Sequence, residues 1–185
     1  MEKDREKWNK KYGENNYASQ VSEHLKKFYA LARVGKALDI AAGIGVNSLF
    51  LADKGFTVDA LDISDYALEK LKQKNSLIHT IETDLDSYVI EQEKYDLIVN
   101  IKFLHRRLFP YIKEGLKKEG ILIFETYLET EDINLQRYFN RDYLLRKNEL
   151  LHSFLSLRIL FYSEEKTEFL PGETIYKATL VGQKQ

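Results

Sequence analysis

The 185-residue chain has no cysteine, which excludes disulfides, thiolate zinc sites and a cysteine nucleophile and suits a reducing compartment. An excess of one charge is missing as well: 28 Lys and Arg stand against 29 Asp and Glu, for a net charge of -1. No bulk field therefore draws the chain to nucleic acid or to an acidic membrane surface. The opening segment, MEKDREKWNKK, is charged and holds no apolar stretch, so it is neither a signal peptide nor a membrane anchor, and a cytoplasmic location is expected. His24, His79, His105 and His152 are scattered without metal-ligand spacing, and no GxSxG elbow marks a serine nucleophile.

What is present suits one domain over residues 1–185. Hydrophobic residues make up 44% and aromatics 12%, enough for a sizeable core, and a second domain has no room. The most informative stretch is Lys36 to Gly55, KALDIAAGIGVNSLFLADKG. An apolar run ending at Ile40 predicts a buried strand, Gly43 and Gly45 a tight turn, and Asn47 to Asp53 a helix. Glycines let backbone approach a ligand closely, and the helix start offers unpaired N–H groups, as in nucleotide-like binding turns.

The elements continue to alternate along the chain. Phe56 to Leu61 predicts a second strand ending at Asp62, and Ser64 caps a helix running to about Asn75 with Ala67, Leu68 and Leu71 on one face. Leu77 to Ile81 is a third strand and Tyr95 to Val99 a fourth, continuous enough in apolar residues to be covered on both faces. Phe109, Ile112 and Leu116 define a helix closed by Gly120 as a left-handed cap, followed by a fifth strand at Ile121 to Phe124. The C-terminal third breaks the pattern: Leu157 to Tyr162 and Thr174 to Val181, with Pro171 and Gly172 between them, should pair as an antiparallel hairpin at the sheet edge. The fold class is thus α/β with a mostly parallel sheet.

The segments AAGIGVNSLFLADKG, TVDALDIS, HTIETDLDSY and YDLIVN, in this order and spacing, resemble the S-adenosylmethionine-binding motifs of class I methyltransferases. Within that superfamily the chain is most similar to the small tellurite-resistance-type methyltransferases. The resemblance covers Lys36 to Tyr127. It implies a three-layer Rossmann-like fold with a seven-stranded sheet. It also implies an N-terminal helical lid region over 1–35, a cofactor-binding half over 36–127, and a substrate-side insertion with a closing hairpin over 128–185. Glycine usually stands in the family where Ala41 stands here.

S-adenosylmethionine carries a sulfonium, an amino acid end, a ribose and an adenine, so its site needs backbone donors, carboxylates and a flat apolar slot. Asp39 can attract the ammonium group, or only tie down the turn. Ala41, Gly43 and Gly45 would bring backbone against the methionine part. Asp62, about twenty residues past the glycines, can accept hydrogen bonds from ribose hydroxyls, or cap the next helix in competition with Ser64. Ile63 would flank the adenine. By the resemblance, Asp84 would meet its exocyclic amine and Leu85 cover its ring; a loop aspartate is the alternative for Asp84. Asn100 lies at the carboxyl edge of the sheet, where open α/β sheets bind ligands.

Methyl transfer is an in-line displacement that gains most from alignment and exclusion of water. Lys102-Phe103-Leu104-His105-Arg106-Arg107 concentrates positive charge after the fourth strand. Arg106 and Arg107 could hold an oxyanion bidentately and His105 could donate or accept a proton, implying a small anionic acceptor; alternatively these residues cover a solvated helix start. Trp8, Tyr12 and Tyr17 precede a helix with Val21, Leu25, Phe28 and Ala32 on one face, and are either packing or a lid. Glu125 and Tyr127 end the fifth strand on the ligand edge, while Tyr138, Arg141, Tyr143 and Arg146 lie in a segment without an assigned role.

Rival readings fail at particular positions. A nicotinamide-dependent oxidoreductase would want GxGxxG, but Ser48 occupies the third position. A nucleic-acid N-methylating enzyme would show a proline-rich aromatic turn after the fourth strand, where Asn100-Ile101-Lys102-Phe103 stands. A non-catalytic S-adenosylmethionine-binding sensor or interaction protein would keep Gly43, Gly45 and Asp62 and need no acceptor pocket. The sequence therefore points to a methyltransferase with S-adenosylmethionine as cofactor, a small-molecule acceptor, and neither a nucleic-acid nor a membrane partner.

Overall fold

Nearly continuous burial along each central strand goes with helices packed on both faces of one sheet. The computed structural model describes residues 2–14, 20–129, 141–170 and 173–185. Its strands are β1 (Lys36–Ile40), β2 (Thr57–Asp62), β3 (Ile78–Glu82), β4 (Tyr95–Ile101), β5 (Leu116–Tyr127), β6 (Arg158–Leu170) and β7 (Glu173–Gln183). Their order across the sheet is β3-β2-β1-β4-β5-β7-β6. The first five are parallel, and β7 runs antiparallel to both β5 and β6. The last strand in the chain is therefore inserted between the fifth and the sixth.

The helices are α1 (Glu2–Gly13), α2 (Glu23–Phe28), α3 (Val46–Asp53), α4 (Asp65–Lys72), α5 (Leu108–Gly115) and α6 (Glu149–Ser153). Successive residues of a strand face opposite sides, so one apolar run feeds two cores. Leu38, Ile40, Ile98, Leu122 and Phe124 pack with α5 and α6. Ala37, Leu97, Val99, Ile121 and Ile123 pack with Leu25 of α2 and Leu51 of α3. Among the described residues no helix is long and apolar enough to cross a membrane.

Three expectations change. Gly120 is not a helix cap: α5 already ends at Gly115, Leu116 begins β5, and the left-handed residue is Glu119 (φ +64°). Gly120 instead sits inside β5, where a Cβ would come within 2.8 Å of the Lys117 carbonyl oxygen and 3.0 Å of that of Tyr95. The helix expected from Val21 to Ala32 is six residues long and continues as a 3-10 turn at Tyr29–Leu31, though Leu25 and Ala32 are buried as their spacing suggested. Helix α4 stops at Lys72, before Asn75. Tyr17, Tyr138 and the Pro171-Gly172 turn lie outside the described residues.

Candidate cofactor and acceptor site

Between β1 and α3 the backbone turns left-handed at three of five residues: Ala41 (φ +54°), Gly43 (+56°) and Gly45 (+78°). Gly45 is the N-cap of α3, and the turn is pinned by Ala42 N–H to the Leu61 carbonyl at 2.8 Å and Gly45 N–H to the Ala42 carbonyl at 3.0 Å. A Cβ on Gly45 would overlap the Leu71 methyl groups of α4. One on Gly43 would lie 2.7 Å from the Tyr12 phenol oxygen. Ala41 bears a Cβ in a conformation that favours glycine.

Two buried carboxylates flank the turn. Asp39 accepts the Ser48 hydroxyl at 2.6 Å, which ties β1 to α3, and burial pushes its carboxyl up to about 7 against the pull of that hydrogen bond. Asp62 accepts Gly43 N–H on Oδ2 and Ser64 N–H on Oδ1, both at 2.8 Å. Ser64, not Asp62, caps α4, its hydroxyl accepting Ala67 N–H at 3.1 Å. Burial raises the Asp62 pKa as well, against the hydrogen bonds it accepts.

Helix α1 lies across this turn. Tyr12 is buried against Gly43, and the charges of Asp62 and Asp39 add to burial in raising its phenol pKa. Asn9 accepts the Ser64 hydroxyl at 2.6 Å and donates to Asp65 at 2.7 Å, while Arg5 meets Glu82 at 3.5 Å. Trp8 stacks on Tyr12 with centroids 5.7 Å apart. Asn9 and Arg5 escaped the sequence reading because isolated polar residues on a charged helix carry no spacing signal.

Beside α1 a cavity of about 410 Å³ is lined by Glu2, Arg5, Ile63, Glu82, Thr83 and Asp84. The fold thus brings Ile63 and Asp84 together, as their strand-end positions suggested. Asp84 accepts Asp86 N–H at 2.9 Å, and Leu85 is buried in the core. Asn100, also buried, donates from Nδ2 to the Phe103 carbonyl at 2.7 Å and so shapes the loop after β4.

The basic segment after β4 is a correction. Arg106 is fully engaged: it forks onto Glu149 at 2.5 and 2.9 Å and donates to the carbonyls of Asp142 and Leu144, each at 2.8 Å. Arg107 donates to the Tyr88 carbonyl at 2.9 Å and the Leu85 carbonyl at 3.4 Å, its guanidinium 4.9 Å from the Tyr111 ring centroid. The Nε–Nη2 edge of Arg106 is taken up by Glu149, and Arg107 fastens the Leu85–Tyr88 loop through Nη1 alone. His105 Nε2 lies 3.0 Å from Asp86 Oδ1 but out of line for a hydrogen bond. A second cavity, about 380 Å³, lies between Arg106, Glu129, Arg141, Asp142, Leu144 and Arg146.

A different charged cluster occupies the ends of β4, β5 and β7. Glu125, buried in β5, accepts the Ser22 hydroxyl at 3.1 Å and faces His24 Nδ1 at 2.8 Å and Lys177 Nζ at 3.4 Å. Ser22 N–H in turn donates to Asn47 Oδ1 of α3 at 3.2 Å. His24 Nε2 and Lys177 Nζ lie 3.6 and 3.9 Å from Glu165. Lys102, left-handed at φ +60°, donates its N–H to the Glu125 carbonyl at 2.7 Å. It keeps contact with solvent, yet partial desolvation lowers its ammonium pKa; Glu125 opposes that shift and Lys177 adds to it. Of this group, Glu125 at the end of the fifth strand and Lys102 in the basic segment after the fourth were visible in the sequence, whereas Ser22, His24 and Lys177 were not.

This sheet order, with a glycine turn after β1 and an acidic residue after β2, defines the Rossmann-like fold of class I methyltransferases. The crystal structure of TehB from Haemophilus influenzae superposes on 96% of the chain and 67% of its own length, with TM-score 0.79 and 22% identity. Residues 1–173 match the family described as tellurite resistance protein TehB, and the chain belongs to that family. In sequence it is 30% identical over 144 residues to the probable S-adenosyl-L-methionine-dependent methyltransferase TehB of H. influenzae, covering 72% of this chain and 49% of that protein. It is 30% identical over 110 residues to the putative methyltransferase YqeM of Bacillus subtilis, covering 53% of this chain and 44% of that one. The chain spans about half the length of these curated relatives.

Proposed function

We propose that the chain binds S-adenosylmethionine and transfers its methyl group to a small, anionic acceptor. The observation that carries this reading is the left-handed turn Ala41–Gly45 held between two buried carboxylates, Asp39 and Asp62. The residues fit the cofactor: Gly43 and Gly45 permit the left-handed turn against Tyr12 and Leu71, Asp39 has a charge to offer an ammonium group, and Asp62 retains acceptor capacity for ribose hydroxyls beside its two backbone donors. Ile63, Asp84 and Leu85 would border the adenine, and Asn100 the methionine part. When bound, the group supplies an activated methyl on a sulfonium. The chain's own task is to hold donor and acceptor collinear and keep water out.

An anionic acceptor no longer rests on Arg106 and Arg107. Its support is Lys102, which stands at the carboxyl end of β4 and makes no ion pair among the described residues. A near-balanced net charge favours a small molecule over nucleic acid.

Calorimetry with S-adenosylmethionine and S-adenosylhomocysteine tests the reading, and absence of heat from both at about millimolar concentration would sink it. Asp62→Ala should weaken binding by about 1 to 3 kcal/mol, because buried donors lose a charged partner.

A further inference from the structure

Glu125 uses its two oxygens unequally. The Ser22 hydroxyl, His24 Nδ1 and Lys177 Nζ all gather on Oε2, while Oε1 accepts no hydrogen bond among the described residues. The residue is only 3% exposed. Oε1 is not sealed in the core, since the enclosed side-chain atoms left without a partner among the described residues are His105 Nε2 and Ser163 Oγ; it opens on a space that solvent reaches, where a ligand can supply a donor.

Strand register says where that oxygen lies. Ile40 pairs with Asn100, Asn100 with Phe124 and Ile101 with Glu125, so the row beyond holds Ala41, Ile101 and Glu125. With strands about 4.8 Å apart, Glu125 stands roughly 10 Å across the sheet from the glycine turn. Alternation sends Asp39, Val99, Ile123 and Glu125 to the same face, the one carrying α3. Lys102 follows Ile101 directly, held against Glu125 by its own backbone N–H at 2.7 Å. A lysine kept in the left-handed region costs about 1 to 3 kcal/mol, a strain found where side chains serve a site. Its ammonium has no ion-pair partner among the described residues.

We infer that Glu125 and Lys102 form the acceptor subsite: Glu125 Oε1 takes the hydrogen on the acceptor's nucleophilic atom, and Lys102 Nζ holds the acceptor's anionic group. The ligand class is a small acid bearing a hydroxyl, thiol or amino nucleophile. This inference rests on the methyl-transfer reading above. A lone pair of the nucleophile forms the bond to the methyl carbon, the carbon–sulfur bond breaks with its electrons left on sulfur, and the displaced proton passes to Oε1 and then to water. His24 is a positioning residue, its ring stacked on Phe28 at 6.3 Å and tilted against Phe161 at 5.6 Å, so that Oε2 is held and Oε1 stays open.

The test loads the isotope-labelled protein with S-adenosylhomocysteine and titrates glycolate, thioglycolate and acetate, following backbone amide shifts. Glycolate and thioglycolate should move the amides of Lys102 and Glu125 and bind about fivefold more tightly than acetate, which has the anion but no protic nucleophile. Lys102→Met, at a solvent-contacting position, should weaken all three acids by about fivefold, and Glu125→Gln should erase the preference for glycolate. Both variants should hold S-adenosylhomocysteine as the unmodified protein does. Equal binding of acetate, a preference that survives Glu125→Gln, affinities unmoved by Lys102→Met, or shifts confined to the cavity of Arg106 and Arg141 would each overturn the inference. Failure of the unmodified protein to bind S-adenosylhomocysteine would instead overturn the methyl-donor reading.

Discussion

From β1 to α4 the site is made of backbone: three left-handed residues, four N–H groups and two carboxylates that sit where strands end. At the ends of β4, β5 and β7 it is made of side chains drawn from residues 22, 24, 102, 125 and 177, which gather around Glu125 from separate elements. The first arrangement depends on one turn and the strand beside it, so local sequence specifies it. The second depends on which strands become neighbours. A ligand common to many proteins can be met by the first kind of site, and a particular acceptor requires the second.

The largest expected effect falls on the backbone-made end. Asp39 is held up at about 7 from its ordinary 3.8, chiefly by burial. Because the folded carboxyl binds its proton more tightly than the unfolded one, this contribution is complete below about pH 4 and is lost as pH rises through about 7. The change amounts to about 4 kcal/mol. Asp39→Asn should flatten that part of the stability profile in denaturant titrations; an unchanged slope would mean the carboxylate is better solvated than its surroundings indicate. Affinity for S-adenosylmethionine should rise through the same range, as Asp39 gains its charge, and lose this dependence in the variant.

At the other end, Arg106→Ala should cost about 1 to 2 kcal/mol of stability through loss of charge-assisted hydrogen bonds to Glu149 and two carbonyls. It should leave S-adenosylhomocysteine affinity unchanged. A variant of normal stability with weakened binding would restore Arg106 to the ligand and erase the contrast between its structural work and that of Lys102. The smallest effect is a gain: Ala41→Gly should relieve left-handed strain by up to about 1 kcal/mol, part of which is offset by greater freedom in the unfolded chain. A loss measured by thermal unfolding would show that the Ala41 methyl packs usefully in the turn.

The contrast also explains what the sequence disclosed. Asp39, Gly43, Gly45 and Asp62 follow from the ends of apolar runs, and the parallel order of β1 to β5 from strands alternating with helices. Gly120 was misplaced because a glycine after a helix resembles a cap, whereas here a Cβ is excluded by the Lys117 and Tyr95 carbonyls inside the sheet. The partners of Arg106 and Arg107 were hidden because charge density does not reveal them: Glu149 lies 43 residues from Arg106, and the Tyr88 carbonyl 19 from Arg107. His24 with Glu125, 101 residues apart, is beyond any motif, since only the antiparallel placement of β7 beside β5 brings Lys177 to complete the group.

The insertion of β7 between β5 and β6 also sets an order of assembly during synthesis. Everything around the glycine turn, from α1 to β4, can take shape once the chain has emerged to about Tyr127, since domains fold N-terminal part first. Glu125 is made early, yet it must wait some fifty residues for Lys177 and Thr179 before its surroundings are complete, a non-local pairing of the slow kind. A nascent chain stalled in this interval would already own its donor turn and still lack the far wall of its cleft.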